Sequence, residues 1–282
     1  MLLNTFTFHT PKTIREWTGL HGKLENAKLQ AGGTFLLNQL KLLKRNGVKT
    51  PQHIISLQKI DELKGISIEG NSLIIKSMTT ISDIYANNDV VKNLPVLKLV
   101  CKNISTQPIR NMATIGGNLT CRYTWTEMPA VAIGLGAKLH FVDESLQEHI
   151  IDPEDFFKNA AKTEQLLTKI SFPLDSTAKV SYRRVKKSQF VDIPLLSLII
   201  RTNVHGKSFK NTRVALNNCV EFAQRDSALE EFLNTQSISK KLAEEALDHI
   251  TETIYDKRSS DYKKHMFRVS LKQAITELVG DT

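Results

Sequence analysis

The 282 residues are 41% hydrophobic and 24% charged, a globular composition sized for one large or two medium domains. It excludes a disordered tail, a fibre and a disulfide-stapled miniprotein. Basic residues outnumber acidic ones 38 to 29, and the resulting +9 is spread along the chain, with 20 against 15 through Phe172 and 18 against 14 beyond it.

Cys101, Cys121 and Cys219 are the only cysteines, too far apart for a C-x-x-C pair or an iron–sulfur run, so no cluster is expected in this chain. The odd thiol count, and the absence of a basic-then-apolar leader from MLLNTFTFHT, set the expectation of a reducing cytoplasm. No apolar stretch approaches the roughly 20 residues of a membrane helix.

In chain order, a strand-like stretch ends at Gln30 and a helix follows over 35–46. Leu36, Leu37, Leu40 and Leu43 share one face, Lys41, Lys44 and Arg45 the other, and Asn46-Gly47 supplies the stop. Two alternating runs around Gly70-Asn71 predict a hairpin over 66–77. Thr80 is expected to cap a helix through Tyr85, and Pro95 to open one over 94–104. A glycine-rich stretch at 114–118 precedes a helix over 127–135 and a strand over 137–142. Beyond a boundary at Phe172-Pro173, strand-like runs at 179–186, 193–202 and 208–218 precede helical segments near 223–233, 238–252 and 260–278. A sheet followed by helices reads as a separate α+β domain.

Two glycine segments carry most of the chemical information. Gln30-Ala31-Gly32-Gly33-Thr34 opens the first helix, so its backbone amides and the helix N-terminus can face an anion. A plain tight turn with Thr34 as N-cap explains the same residues. The second segment, Ala113-Thr114-Ile115-Gly116-Gly117-Asn118, repeats the glycine pair between Thr114 and Asn118. Neither matches G-x-G-x-x-G or G-x-x-x-x-G-K-[ST], which removes support from a Rossmann domain and from a P-loop.

Ala31-Gly32-Gly33-Thr34 before a leucine-rich helix, with Ile109-Arg110-Asn111 running into the second glycine segment, resembles the FAD-binding medium subunit of the molybdenum hydroxylases. Xanthine and carbon monoxide dehydrogenases belong to that family. Glu127-Met128-Pro129-Ala130, Asp155-Phe156-Phe157, the run from Leu166 to Pro173, Tyr182-Arg183, Asp192-Ile193-Pro194-Leu195, Val214-Ala215-Leu216 and Ser260-Asp261-Tyr262 to Ala274 continue the resemblance in order.

The resemblance implies an α+β fold. A two-part FAD-binding domain of the vanillyl-alcohol oxidase type would occupy 1–172, split near residue 57, and a small C-terminal domain, an antiparallel sheet with helices, 173–282. It implies non-covalent FAD, held by Gln30, Ala31, Gly32, Gly33, Thr34, Phe35 and Leu36 and by Ala113, Thr114, Gly116, Gly117 and Asn118. Ile104 and Leu167 would lie near the ring system, Glu127 on the ribityl chain where the family usually has Asp, and Arg183 near the flavin. The implied partners are a large molybdopterin-binding subunit and a small [2Fe-2S] subunit, with NAD or another acceptor taking the electrons.

Phe35 departs from the family's Asp or Ser, and Cys121-Arg122-Tyr123-Thr124-Trp125-Thr126 from its small-residue run. Tyr123 and Trp125 either stack on the cofactor or, the weightier reading, fill a core or interface. The loop from Phe157 to Glu164 is short for the family, and the cysteine-bearing insertion of the hydroxybenzoyl branch is missing. With no metal-ligand cluster, G-x-S-x-G or nucleophile beside a base, the organic substrate is expected to react on another chain. The eight scattered histidines read as surface or loop residues, and strand alternation divides Arg183-Arg184 and Lys186-Lys187 between two faces. A free-standing FAD-dependent oxidoreductase of this fold is the alternative. A basic nucleic-acid-binding protein ranks lower, since it lacks aromatic–basic interleaving on a strand.

Overall fold

The structure is a computed structural model and describes residues 3–159, 164–188, 190–255 and 259–280. Strands β1 (Thr7–His9), β2 (Ala27–Gln30) and β3 (His53–Ser56) form a parallel sheet in the order β1-β3-β2. Parallel neighbours need crossovers, and these carry α1 (Ile14–His21) and α2 (Leu36–Arg45). Trp17, Ile55, Leu57, Ile60 and Leu63 form their core. Strands of three or four residues offer too few positions for alternation to show, so β1 and β3 escape a sequence reading.

The second sheet is antiparallel throughout. Its strands β4 (Ile66–Glu69), β5 (Ser72–Lys76), β6 (Lys138–Val142), β7 (Glu148–Ile151) and β8 (Leu166–Pro173) run in the order β4-β5-β8-β6-β7. The last strand in sequence is therefore the middle one in space. Over this sheet lie α3 (Ile81–Ala86), α4 (Asn88–Asn93), α5 (Pro95–Asn103), α6 (Gln107–Arg110), α7 (Ile115–Thr120), α8 (Met128–Gly134) and α9 (Pro153–Lys158). The expected cap at Thr80 is a full capping box: Thr80 Oγ1 accepts from the Asp83 amide, and the Asp83 carboxylate from the Thr80 amide. The glycine-rich stretch expected at 114–118 is the first turn of α7 with its Thr114 cap.

The third sheet, also antiparallel, contains β9 (Ala178–Lys186), β10 (Pro194–His205), β11 (Ser208–Asn217) and β12 (Gln224–Arg225) in the order β12-β11-β10-β9. Helices α10 (Ser227–Thr235), α11 (Leu242–Glu245) and α12 (Asp261–Val279) follow. Leu198, Ile200, Val214 and Leu216 face these helices and pack with Phe267 and Leu271. On the other side Tyr182, Ile199 and Ala215 join the core of the second sheet. Gly134 of α8 makes this contact possible, because a Cβ there would lie 2.3 Å from Ile199 Cγ2.

The architecture is α+β, as the sequence predicts. Two helix expectations need correction. The segment near 223–233 begins with β12, and its helix starts at Ser227 because Asp226 caps it. Residues 238–252 hold only the single turn of α11 and a 3-10 turn at Ala246–His249. Among the described residues, no helix is long and apolar enough to cross a membrane.

Candidate functional site

The two glycine segments, some 80 positions apart in sequence, are in contact. A Cβ on Gly32 would overlap the Met112 carbonyl oxygen at 1.9 Å, and one on Gly117 would sit 3.3 Å from Ala31 Cβ. Only glycine lets the backbones approach this closely. Gly33 has φ +73, a left-handed conformation, with the Gln30 side-chain amide beside it.

The expectation that Thr34 caps the first helix is not met. Phe35, in a right-handed conformation, holds the cap position of α2 and makes no capping bond. Among the described residues the amides of Gly32, Gly33 and Thr34 find no acceptor. An uncapped helix N-terminus preceded by unpaired amides is an anion-binding arrangement. Leu36 is half-buried at the start of α2.

The second segment is fixed more rigidly. Its Gly116 amide donates to the Ser77 carbonyl at 2.8 Å, Thr114 Oγ1 accepts from the Gly117 amide at 3.1 Å, and the Ala113 carbonyl accepts from the Ile81 amide at 2.8 Å. Asn118 contributes a buried Oδ1 with no hydrogen-bond partner among the described residues. Leu167 is buried in the adjoining core and Ile104 packs against it. Arg110 donates to the Ile104 and Ser105 carbonyls at 3.0 and 2.9 Å, which holds that turn in place.

Glu127, at the N-terminus of α8, is buried and paired with Arg184 of β9. Burial pushes its carboxyl above the usual carboxylate range, and the Arg184 guanidinium opposes the shift. One carboxylate oxygen pairs with Arg184; Oε2 meets no hydrogen-bond geometry among the described residues, although the Tyr182 hydroxyl is near enough to favour the charged carboxylate. Tyr182, Ser197 and Asn217, from neighbouring positions of the third sheet, each add a buried polar atom that meets no hydrogen-bond geometry among the described residues, the Tyr182 hydroxyl lying near both Glu127 and Ser197, and Asn217 also donates to the Thr126 carbonyl. Beneath the helices, burial and the Glu127 charge push the Cys101 thiol up to about 12, which makes it an inert core residue.

Arg183 is not brought to this cluster. It lies on the opposite face of β9, donating to Glu277 and to the Gln273 carbonyl on α12 at 2.8 and 3.2 Å. Strand alternation makes Arg184 the cation that meets Glu127. Sequence reasoning missed Arg184, Tyr182, Ser197 and Asn217. The signal available for Arg184 was its two-residue spacing from Tyr182.

Phe35, Tyr123 and Trp125, the residues that depart from the family pattern, form one cluster. Ring centroids are 4.4 Å apart for Phe35–Tyr123 and 4.2 Å for Tyr123–Trp125, the latter pair stacked. This pins the 121–126 segment to the first turn of α2, between the glycine junction and Glu127.

A dinucleotide fits these features. Its pyrophosphate would meet the amides before α2, and its hydroxyl or ring N–H donors would satisfy the buried Asn118 Oδ1 and Glu127 Oε2. The comparisons agree. The family profile described as the FAD binding domain in molybdopterin dehydrogenase matches residues 4–175. The carbon monoxide dehydrogenase medium chain of Hydrogenophaga pseudoflava is 29% identical, over 98% of this chain and 97% of its own length. The xanthine dehydrogenase FAD-binding subunit of Escherichia coli O157:H7 is 24% identical, over 97% and 96%. Among solved structures, carbon monoxide dehydrogenase from Hydrogenophaga pseudoflava superposes with a TM-score of 0.89 at 26% identity, covering 98% of this chain and 97% of that one. Quinoline 2-oxidoreductase from Pseudomonas putida 86 shares the fold, with a TM-score of 0.88 at 22% identity. The glycine junction, the buried acceptors and the matched profile together make this chain a member of the molybdopterin dehydrogenase FAD-binding family, an oxidoreductase flavoprotein of the medium-subunit type.

Proposed function

We propose that this chain is the electron-transferring FAD subunit of a molybdopterin-dependent dehydrogenase. It would receive electrons from [2Fe-2S] clusters of a small partner subunit and pass them to NAD or another acceptor, while a large molybdopterin-binding subunit oxidises the organic substrate. Bound FAD supplies the redox chemistry, taking up and releasing electrons. The observation that carries the reading is the junction of the two glycine segments, where Gly32 rests on the Met112 carbonyl beside amides that find no acceptor among the described residues.

On this reading Gln30, Ala31, Gly32, Gly33, Thr34, Phe35 and Leu36 bind the pyrophosphate end, opposite Ala113, Thr114, Gly116, Gly117 and Asn118. Glu127 offers Oε2 to the ribityl or ring portion and is held in place by Arg184, which takes the part expected of Arg183. Ile104 and Leu167 supply apolar contact near the rings. Residues 1–172 carry these groups, apart from Arg184, and residues 173–282 close over them. The three cysteines, with no disulfide between them, fit a reducing cytoplasm as the location.

The test is the absorption spectrum of the purified chain, which should show oxidised flavin released unaltered on denaturation. Gly33→Val forces a β-branched residue into positive φ, and Gly117→Val drives a side chain into Ala31 and Thr114. Both variants should lose the flavin spectrum. Full FAD occupancy in both, with the chain folded, would refute the site.

A further inference from the structure

Phe35, Tyr123 and Trp125 close on one another but not on the apolar core. The Tyr123 and Trp125 rings stack at 4.2 Å with 22° between their planes, and Phe35 meets them at 4.4 and 5.7 Å. Phe35 is 40% exposed and the other two are half-buried. Among the described residues, neither Tyr123 nor Trp125 packs against any of the three apolar cores, so the expectation that they fill a core is not met. Rings gathered at the surface away from a core leave flat apolar area for a ligand to cover.

The backbone that presents them is strained and clamped. Arg122 holds φ +53, a left-handed conformation rare outside glycine. Such strain persists where the surroundings over-determine it, and it gathers at binding sites. The Arg122 guanidinium donates to the Asn159 carbonyl and lies over the Phe156 ring, 4.2 Å from its centroid. The Thr126 amide and hydroxyl both donate to the Tyr123 carbonyl, at 3.1 and 2.8 Å, and the Gln39 side-chain amide of α2 reaches the Tyr123 hydroxyl at 3.5 Å. At the start of the segment the Cys121 thiol donates to the Asn118 carbonyl at 3.3 Å, and at its end stands Glu127. The rings are thus tied to all three groups proposed to meet FAD: the amides before α2, Asn118 and the Glu127 carboxylate.

We propose that the Tyr123–Trp125 stack, backed by Phe35, is the wall against which the isoalloxazine ring of FAD lies. The inference rests on the proposed function and deepens it. Trp125 stands two residues from Glu127, on the side of the pyrophosphate given to the ribityl chain and the flavin, so the adenine ring belongs at the other end of the cofactor. Indole and phenol are electron-rich and the flavin ring is electron-poor, and offset stacking of such faces is favourable beyond the area it buries.

The experiment reads the fluorescence decay of FAD bound to the full chain. An indole or phenol in contact with a light-excited flavin lends it an electron that returns at once, which quenches emission with no net redox change. Flavin on the native chain should therefore be nearly dark. Tyr123→Phe with Trp125→Phe keeps flat rings but removes the electron donors. Its FAD affinity should stay within about twofold of native, while emission rises several-fold and the fastest decay component is lost. Tyr123→Leu with Trp125→Leu also removes the stack, so it should brighten the flavin and weaken FAD binding by about 2- to 10-fold. Tyr262→Phe, at an exposed position of α12, should change neither. Melting temperatures of the FAD-free chains check that each variant is folded. Bright flavin on the native chain, or an unchanged decay in both double variants, would overturn the wall. So would a leucine pair that leaves the decay unchanged but weakens ADP as much as FAD, which would place adenine there. The same holds for one that leaves the decay unchanged but sheds the associated subunits, which would make the stack an interface. A native chain that binds no FAD would instead refute the proposed function, and the wall with it.

Discussion

Arg183 and Arg184 are adjacent on β9 yet sit in different physical worlds. Arg184 and Glu127 are both nearly excluded from water, whereas the Arg183 pair with Glu277 is 31% and 53% exposed. Arg184→Leu leaves a buried carboxylate without its partner and should cost about 3–5 kcal/mol in urea unfolding. Arg183→Leu should cost about 0–1 kcal/mol. The pH response of Arg184→Leu follows from the same pair. Without the guanidinium, burial dominates at Glu127, opposed by the nearby Tyr182 hydroxyl, and raises its carboxyl further above the ordinary 4.5. The folded state then holds a proton that the unfolded state releases, so stability should fall as pH rises from 4.5 through the raised value. A pH series of unfolding curves checks this, and a slope equal to that of the native chain would refute it. The glycines, Thr114, Asn118 and Glu127 were legible as motif residues. The choice between the two arginines was not, because it depends on which face of a strand meets α8, and a motif does not carry that.

Helix α10 shows how one residue can set an element and its surroundings. Asp226 is fully buried and accepts from the Leu229 amide at 3.2 Å as N-cap, and from the Thr251 amide and hydroxyl at 2.9 and 2.6 Å. Asp226→Ala removes a cap and orphans half-buried donors on Thr251, so a loss of about 2–4 kcal/mol is expected. Asp226→Asn, which keeps an acceptor, should lose less, and thermal unfolding of the two variants makes the comparison. Helices with their own punctuation were the easiest to read: α2 between Gly-Gly-Thr and Asn46-Gly47, α3 behind its capping box, α5 behind Pro95. Residues 238–252 lacked such limits. Their apolar spacing suits a helix, yet the chain breaks into a single turn and a 3-10 turn to pack Leu242, Ala243, Ala246 and Ile250 under α10 and α12. Tertiary packing outweighed local propensity there.

At the scale of the molecule, the apolar core does not stop at Phe172-Pro173. Pro173 pairs with Ser72 inside the second sheet, and Tyr182, Ile199 and Ala215 from beyond that point share one core with Leu73, Phe141 and Ile170. A boundary read from a dipeptide reports a change in chain direction. It does not report which surfaces stay wet, since the back face of the third sheet reads as an ordinary apolar alternation. Closure of that face onto α8 also brings Arg184 to Glu127, so the proposed flavin site and the sheet contact should fail together. Gly134 is the point at which to test this. Gly134→Val pushes a branched side chain into Ile199, whose Cγ2 would lie 2.3 Å from the new Cβ, and overpacking of this kind costs about 1–3 kcal/mol. In the native chain, amides of β5, β8 and β10 should exchange with solvent deuterium together, as one cooperative unit. In Gly134→Val, β9 to β11 should exchange first, and FAD affinity should drop although none of the residues proposed to face the cofactor has changed. Unaltered exchange and unaltered FAD affinity would show that the sheet contact and the flavin site are energetically separate.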